Sequence, residues 1–310
     1  SKTNLFLLNF GSLYNYNFIK ILKVALFTKF DVEENNDHIF SVIKSLINNK
    51  ISFDIDRESY ETLIRSDHNI QTVNFNEIVK LNDSYDFVIS IGGDGTILRS
   101  ANEIGKLSIP VIGLNKGRLG FLANSAVENI NSILNRLKKN DFKISERTII
   151  QSNFDNKMCF ALNEISVSRK NTTSLITIDT KLNDQYLNTY WADGLIISTP
   201  TGSTGYSLSC GGPIIMPDSK NLVLTPIAPH NLNARPLVIS DEKKIEISIN
   251  SRENEYFVSA DSNIFSAPIN SNVFISKAPH NLKMVEFEDD SYINTLREKL
   301  LWGKDKRTEQ

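Results

Sequence analysis

The sequence is short of cysteine: it holds only Cys159 and Cys210, and they do not form a CxxC pair. That excludes a disulfide framework and a structural zinc site, and a reducing cytoplasm is the expected setting. No apolar run approaches the roughly 20 residues that span a bilayer. Leu5-Phe6-Leu7-Leu8 is too short and too mixed with asparagine for a signal peptide. A soluble protein with no membrane partner is expected. An excess of one charge is missing too: 34 Lys and Arg face 36 Asp and Glu, a formal net charge of -2. Phosphate backbones select a clearly basic face, so nucleic acid is not an expected partner. Two nucleotide-binding loops are also absent. There is no G-x-x-x-x-G-K-[ST] and no G-x-G-x-x-G after the first strand-like run, which sets aside P-loop and dehydrogenase-type binding.

Glycine is scarce, with 14 residues in a chain of 310, and its placement is informative. Gly92, Gly93, Gly95, Gly105, Gly113, Gly117 and Gly120 form one group; Gly194, Gly202, Gly205, Gly211 and Gly212 form another. Glycine is needed where φ is positive or where a ligand approaches the backbone closely. Turn glycines do not cluster in this way, so two distant loops are expected to converge on one ligand.

Hydrophobic patterning divides the chain. Lys23 to Phe27, Ile51 to Ile55, Phe87 to Ile91 and Pro110 to Leu114 read as strands. Helical spacing links Ile39, Phe40, Ile43, Leu46 and Ile47, and again Ile130, Ile133, Leu134 and Leu137, with a further helix over 96–104. Strands alternating with helices predict a doubly wound, mostly parallel sheet. Beyond residue 145 the runs are short and β-like, among them 148–150, 165–167, 175–178, 195–197, 222–224, 245–249, 256–258 and 273–275. These predict an all-β, sandwich-like second domain. The expected division is an extension at 1–21, an α/β nucleotide-binding domain at 22–145 with 286–310 returning to it, and a β-rich domain at 146–285.

Gly92-Gly93-Asp94-Gly95-Thr96 follows a buried strand and opens a helix. Gly92, Gly93, Gly95 and Thr96 suit a phosphate cradle, since free amides and the helix dipole favour anions there. A carboxylate in that cradle makes sense if Asp94 works on a hydroxyl or a metal ion beside the phosphates; accepting a proton from an attacking hydroxyl is the role of the catalytic aspartate in kinases generally. The plain alternative is a strand-ending turn with an N-capping aspartate. In Asn115 to Leu122, Lys116 and Arg118 offer charge to phosphates and Phe121 an aromatic face to a base; a basic surface turn with a core phenylalanine is the alternative. Asp193 to Ser207 runs from an apolar strand into hydroxyls and glycines and then Tyr206, groups suited to ribose, amide or pyrophosphate; a purely structural loop is the alternative.

These segments resemble the NAD kinase family, specifically its bacterial ATP-dependent members. The matching stretches are GGDGT (92–96), NKGRLGFL (115–122), NE (163–164), DGLIISTPTGSTGYSLS (193–209), APHNLNARP (228–236) and ADS (260–262). GGDGT is shared with lipid kinases and phosphofructokinases; the long DGLIISTPTGST-x-Tyr stretch is the specific one. The resemblance implies an N-terminal α/β domain, a C-terminal β-sandwich, a cleft between them, and a homodimer or homotetramer. It implies that Asp94 is the general base for the adenosine-ribose 2′-hydroxyl of NAD and that Gly95 lies against the dinucleotide. Asn163 and Glu164 resemble the pair that contacts base and ribose. Asp193, Thr204, Gly205, Tyr206, Ser207, Leu208 and Ser209 would hold the rest of NAD, and Arg99 would face phosphate. Two positions depart: Trp191 stands where several relatives have Arg, leaving NAD against NADH open, and Asn263 stands where relatives often place Gln. Mg2+ is expected to arrive with ATP, held by phosphate oxygens. Two rival readings are a diacylglycerol-type lipid kinase and a non-catalytic NAD sensor.

Overall fold

Strand β1 (Lys23–Thr28) serves two cores at once, because successive side chains leave a strand on opposite faces. Val24 and Leu26 join one buried cluster, Ala25 and Phe27 another. The computed structural model describes residues 22–29, 36–66, 75–171 and 175–303; the expected extension at 1–21 lies outside them. Helix α1 (Asp37–Asn48) and β2 (Ser52–Asp56) follow, then α2 (Arg57–Ser66) and the short β3 (Glu77–Ile78). Next come β4 (Phe87–Ile91), α3 (Asp94–Ile104), β5 (Val111–Asn115), β6 (Ser125–Ala126) and α4 (Ile130–Lys138). Strands β5, β4, β1, β2 and β3 lie side by side in that order and all pair in parallel. α1 and α4 bury their apolar stripes on one face of the sheet and α3 on the other, which is the doubly wound arrangement. The chain travels from β1 outward through β2 and β3, then returns to β4 on the other side of β1. The crevice beyond the carboxyl ends of β1 and β4 is therefore the switch point, where open α/β sheets bind ligands.

The second region holds β7 (Lys143–Phe154), β8 (Lys157–Ala161), β9 (Glu164–Arg169), β10 (Ile176–Leu182), β11 (Gln185–Ala192) and β12 (Gly194–Ser198). A four-residue helix α5 (Tyr206–Ser209) precedes β13 (Asn221–Ile227), β14 (Leu237–Ser240), β15 (Ile245–Asn250), β16 (Glu255–Ala260), β17 (Asn263–Pro268), β18 (Val273–Glu286) and α6 (Tyr292–Lys299). An antiparallel sheet of order β14-β13-β12-β9-β16-β17 packs against β10, β11, β15 and the start of β18, with Ile165, Val167, Leu195 and Ile197 facing Ile178, Tyr190, Ile247 and Ile275 in one core. This is the expected sandwich.

Strand β18 is far longer than the 273–275 run suggests. It pairs with β15 at Val273 to Ile275 and, at Met284, runs parallel to Val111 of β5. One sheet thus continues from the parallel strands into the antiparallel region. The local sequence hides this, because Pro279 interrupts the run; the pairing with β7 shifts register between Lys277 and Asn281, and such an irregularity tolerates a residue without an N–H. Helix α2 was not foreshadowed either, since its sequence RESYETLIRS holds few apolar residues.

Candidate active site

Where β4 ends, the glycines divide into two kinds. Gly92 has φ +151°, and a Cβ there would stand 2.4 Å from Thr96 Oγ1, so the fold itself demands glycine. Gly93 and Gly95 would meet nothing within 4 Å. Gly95 sits in the first turn of α3, where glycine costs up to about 1 kcal/mol against alanine, the value of a helix interior. Packing does not ask for it. The gap leaves backbone amides at a helix N-terminus open to a ligand, in the setting that favours phosphate.

Asp94 does not cap its own helix; Gly93 occupies that position. Its carboxylate crosses to the second glycine loop. Oδ2 accepts the N–H of Phe121 at 3.0 Å, and Oδ1 accepts those of Leu122 and Ala123 at 3.0 and 3.1 Å. A Cβ on Gly120 would stand 2.2 Å from Oδ1, which explains that glycine. The carboxylate offers about four acceptor positions and three are taken, so about one remains for a ligand hydroxyl. In the same loop Asn115 donates to Ala123 C=O and accepts from Gly117 N–H, while Lys116 Nζ donates to Lys29 C=O. Phe121, expected to face a base, packs its ring on Tyr292 and under Lys299 of α6.

Arg99, expected to face phosphate, turns instead to carboxylates. It forms ion pairs with Asp56 and Glu58 and donates to Thr28 C=O, tying α3 to the ends of β1 and β2. Asp56 is buried and also accepts the N–H of Thr28, so the guanidinium compensates a charge that folding has removed from water.

The second constellation begins at Asp193, held by Arg169 at 2.8 Å. Beyond β12 the hydroxyls mostly build their own loop. Thr199 donates to Leu162 C=O at 2.5 Å, Ser203 to Pro200 C=O at 2.7 Å, and the hydroxyls of Ser207 and Thr225 meet at 2.8 Å. Ser207 is fully buried, so its side chain shapes the loop rather than facing solvent. Gly202 lies on the backbone of Asn163, where a Cβ would come within 2.2 Å of the carbonyl oxygen. Thr204, Gly205 and Leu208 are part-exposed, while Tyr206 and Ser209 are exposed. Burial pushes the Tyr206 phenol up, helped by Cys210 and by the carboxylates of Asp193 and Glu164.

Asn163 and Glu164 sit at the head of β9. Leu162, just before them, belongs to the same buried cluster as Ile97, Leu122 and Ala123. One core therefore links the head of β9 with α3 and with the loop that Asp94 holds. Burial and the neighbouring Asp261 push the Glu164 carboxyl up to about 7. Trp191 is exposed, its backbone held by His230 and Asn231 of the 228–236 stretch. Asn263 lines a cavity of 220 Å³ with Leu162, Asn102, Gly105 and His280.

Two residues that matter here were not singled out from the sequence. Arg169 partners Asp193, and Asp261 holds the backbone of residues 162–164. Asp261 lay within the ADS stretch, the one available signal; nothing local marks Arg169. Among the described residues no group of three or more His, Cys, Asp or Glu stands together to hold a metal ion. Among them, too, no helix is long and apolar enough to cross a membrane.

Comparison with known proteins extends this geometry to a family. The profile of the ATP-NAD kinase N-terminal domain matches residues 26–142, and that of the ATP-NAD kinase C-terminal domain matches residues 162–287. An NAD kinase of Christiangramia forsetii is 49% identical over 92% of this chain and 100% of its own length. One from Flavobacterium psychrophilum is 46% identical over the same shares, 92% and 100%. Among solved structures, yeast NADH kinase complexed with NADH superposes with a TM-score of 0.84 at 21% identity, covering 94% of this chain and 90% of that one. An NAD kinase from Archaeoglobus fulgidus in complex with ATP gives 0.70 at 24% identity, covering 90% and 99%. The two structures establish the fold. With both family profiles matched in order along one chain and near-half identity over almost all of it, the protein belongs to the NAD kinase family.

Proposed function

We propose that the protein is an ATP-dependent NAD kinase, transferring the γ-phosphoryl group of ATP to the 2′-hydroxyl of the adenosine ribose of NAD to give NADP and ADP. Family membership across both regions carries this reading. The open amides at Gly93 and Gly95, beside a carboxylate with about one acceptor position left, supply the matching chemistry. Asp94 accepts the proton of the 2′-hydroxyl as its oxygen attacks the γ-phosphorus, and ADP leaves in line. Gly92, Gly93, Gly95 and Thr96 position the phosphates. Asn163, Glu164, Asp193, Tyr206 and the exposed side of 204–209 hold the dinucleotide. Mg2+ enters as part of the Mg2+-ATP substrate, where it would neutralise charge on the triphosphate. The reading also carries a cytoplasmic setting, a homodimer or homotetramer, and two units meeting near residue 145.

The test is incubation with Mg2+, ATP and NAD, followed by measurement of NADP. An analogue with hydrogen at the adenosine 2′ position should compete with NAD and yield no phosphorylated product. Phosphorylation of that analogue would overturn the assignment of the attacked hydroxyl, and absence of NADP from NAD itself would overturn the activity.

A further inference from the structure

Asp261 lies between β16 and β17 with φ +49°, a conformation that aspartate tolerates better than most residues. Its carboxylate reaches the residues leading into β9. Oδ2 accepts the N–H of Leu162 at 2.9 Å; Oδ1 accepts those of Asn163 at 2.9 Å and Glu164 at 3.2 Å. A return bond runs from Asp261 N–H to Glu164 C=O at 3.0 Å. The peptide that carries Glu164 is therefore fixed from both sides by one residue.

Glu164 is left in an unusual position. Its Oε2 is buried and has no hydrogen-bond partner among the described residues. A Cβ on Gly205 would stand 3.3 Å from that oxygen, so the glycine keeps free the space in front of it. The groups facing Glu164 are the Asp261 carboxylate, from the β16–β17 turn, and the Tyr206 backbone N–H and phenol, from α5. None of them is a cation. A buried carboxylate oxygen beside another carboxylate needs either a proton or a donor from outside.

We propose that Asp261 is a positioning residue that presents Glu164 as an acceptor for a hydroxyl or amino donor of NAD, so that binding NAD expels a proton from Glu164. The inference rests on the NAD kinase reading and adds a linkage to it. Burial, with the Asp261 charge beside it, pushes the Glu164 carboxyl up to about 7. A donor facing Oε2 stabilises only the ionised form, so the carboxyl ionises at lower pH once NAD is bound. NAD affinity is then highest above neutral pH and falls as pH drops below about 7, by at most about tenfold per unit. Removing the Asp261 charge makes Glu164 more acidic and moves the break to lower pH.

The experiment is calorimetry of NAD binding to the full chain at pH 7, in buffers of different ionisation enthalpy, with NADP formation measured in parallel. About half a proton should be released per NAD in the parent. Asp261→Asn should release less at pH 7 and shift the acid limb of the KM for NAD to lower pH. Glu164→Gln should abolish both the release and the limb. Glu164→Gln keeps the test decisive if Asp261→Asn fails to fold, because it leaves the Asp261 bonds in place. A parent that forms NADP yet binds NAD without releasing a proton overturns this inference alone, as does an unchanged release in Glu164→Gln. An Asp261→Asn protein that folds and keeps the parent's acid limb removes the positioning role. A parent that forms no NADP overturns the functional reading and this inference with it.

Discussion

Asp94 Oδ1 accepts the backbone N–H of Leu122 at 3.0 Å, so the residue expected to take the substrate proton also ties together the loops that follow β4 and β5. The same carboxylate holds Phe121 and Ala123. Any substitution there acts on chemistry and on loop geometry at once, and a test must read both.

Asp94→Asn keeps the shape, removes the proton acceptor and turns an amide NH2 toward a backbone N–H. Turnover should fall on the order of 10²–10⁴ for loss of a general base. Thermal unfolding should show a loss of about 1–3 kcal/mol from the disturbed loop. Turnover within a few-fold of the parent, in a protein shown to be folded, would remove the base assignment.

The two kinds of glycine should part company on substitution. Gly95→Ala meets no protein atom within 4 Å, so stability should hold or rise by up to about 1 kcal/mol while the KM for ATP or NAD rises. Gly120→Ala drives a methyl into Asp94 Oδ1 and should destabilise by about 1–3 kcal/mol. Melting curves alongside initial rates separate them. An unchanged KM in Gly95→Ala would show that the open space there has no functional meaning.

Tyr206→Ala removes an exposed ring beside Glu164 and leaves Asp94 untouched. The KM for NAD should rise more than turnover falls, the pattern of lost ground-state binding. A change confined to turnover would mean that the ring does more than bind.

Arg99→Ala tests whether the guanidinium serves the fold or the phosphates. Its partner Asp56 is buried while Arg99 itself is partly exposed, so a loss of about 1–2 kcal/mol is expected. If the carboxylates are its main partners, the KM for ATP should stay within a few-fold of the parent. A tenfold rise in that KM with unchanged stability would return Arg99 to the phosphates.

The sequence by itself determined most of the secondary structure and the identity of the working loops. Strands β1, β4 and β5 were readable as short continuous apolar runs, and helices α1 and α4 as apolar stripes at helical spacing; both signals are local properties. The glycine clusters and Asp94 were readable because special backbone positions need special residues. The tertiary structure decided what those residues touch. Asp94 meets a partner 27 positions away and Asp261 one 99 positions away, and both bonds run to backbone N–H groups that any residue but proline would supply. No residue type marks such an acceptor's target. The same holds for Ser203 and Ser207, whose hydroxyls resemble ligand groups in sequence but are consumed inside the loop, and for Arg99, whose carboxylates lie on α2 and at the end of β2. Only folding set these charges and hydroxyls beside their partners, because desolvation obliges a buried polar group to find one wherever along the chain it lies.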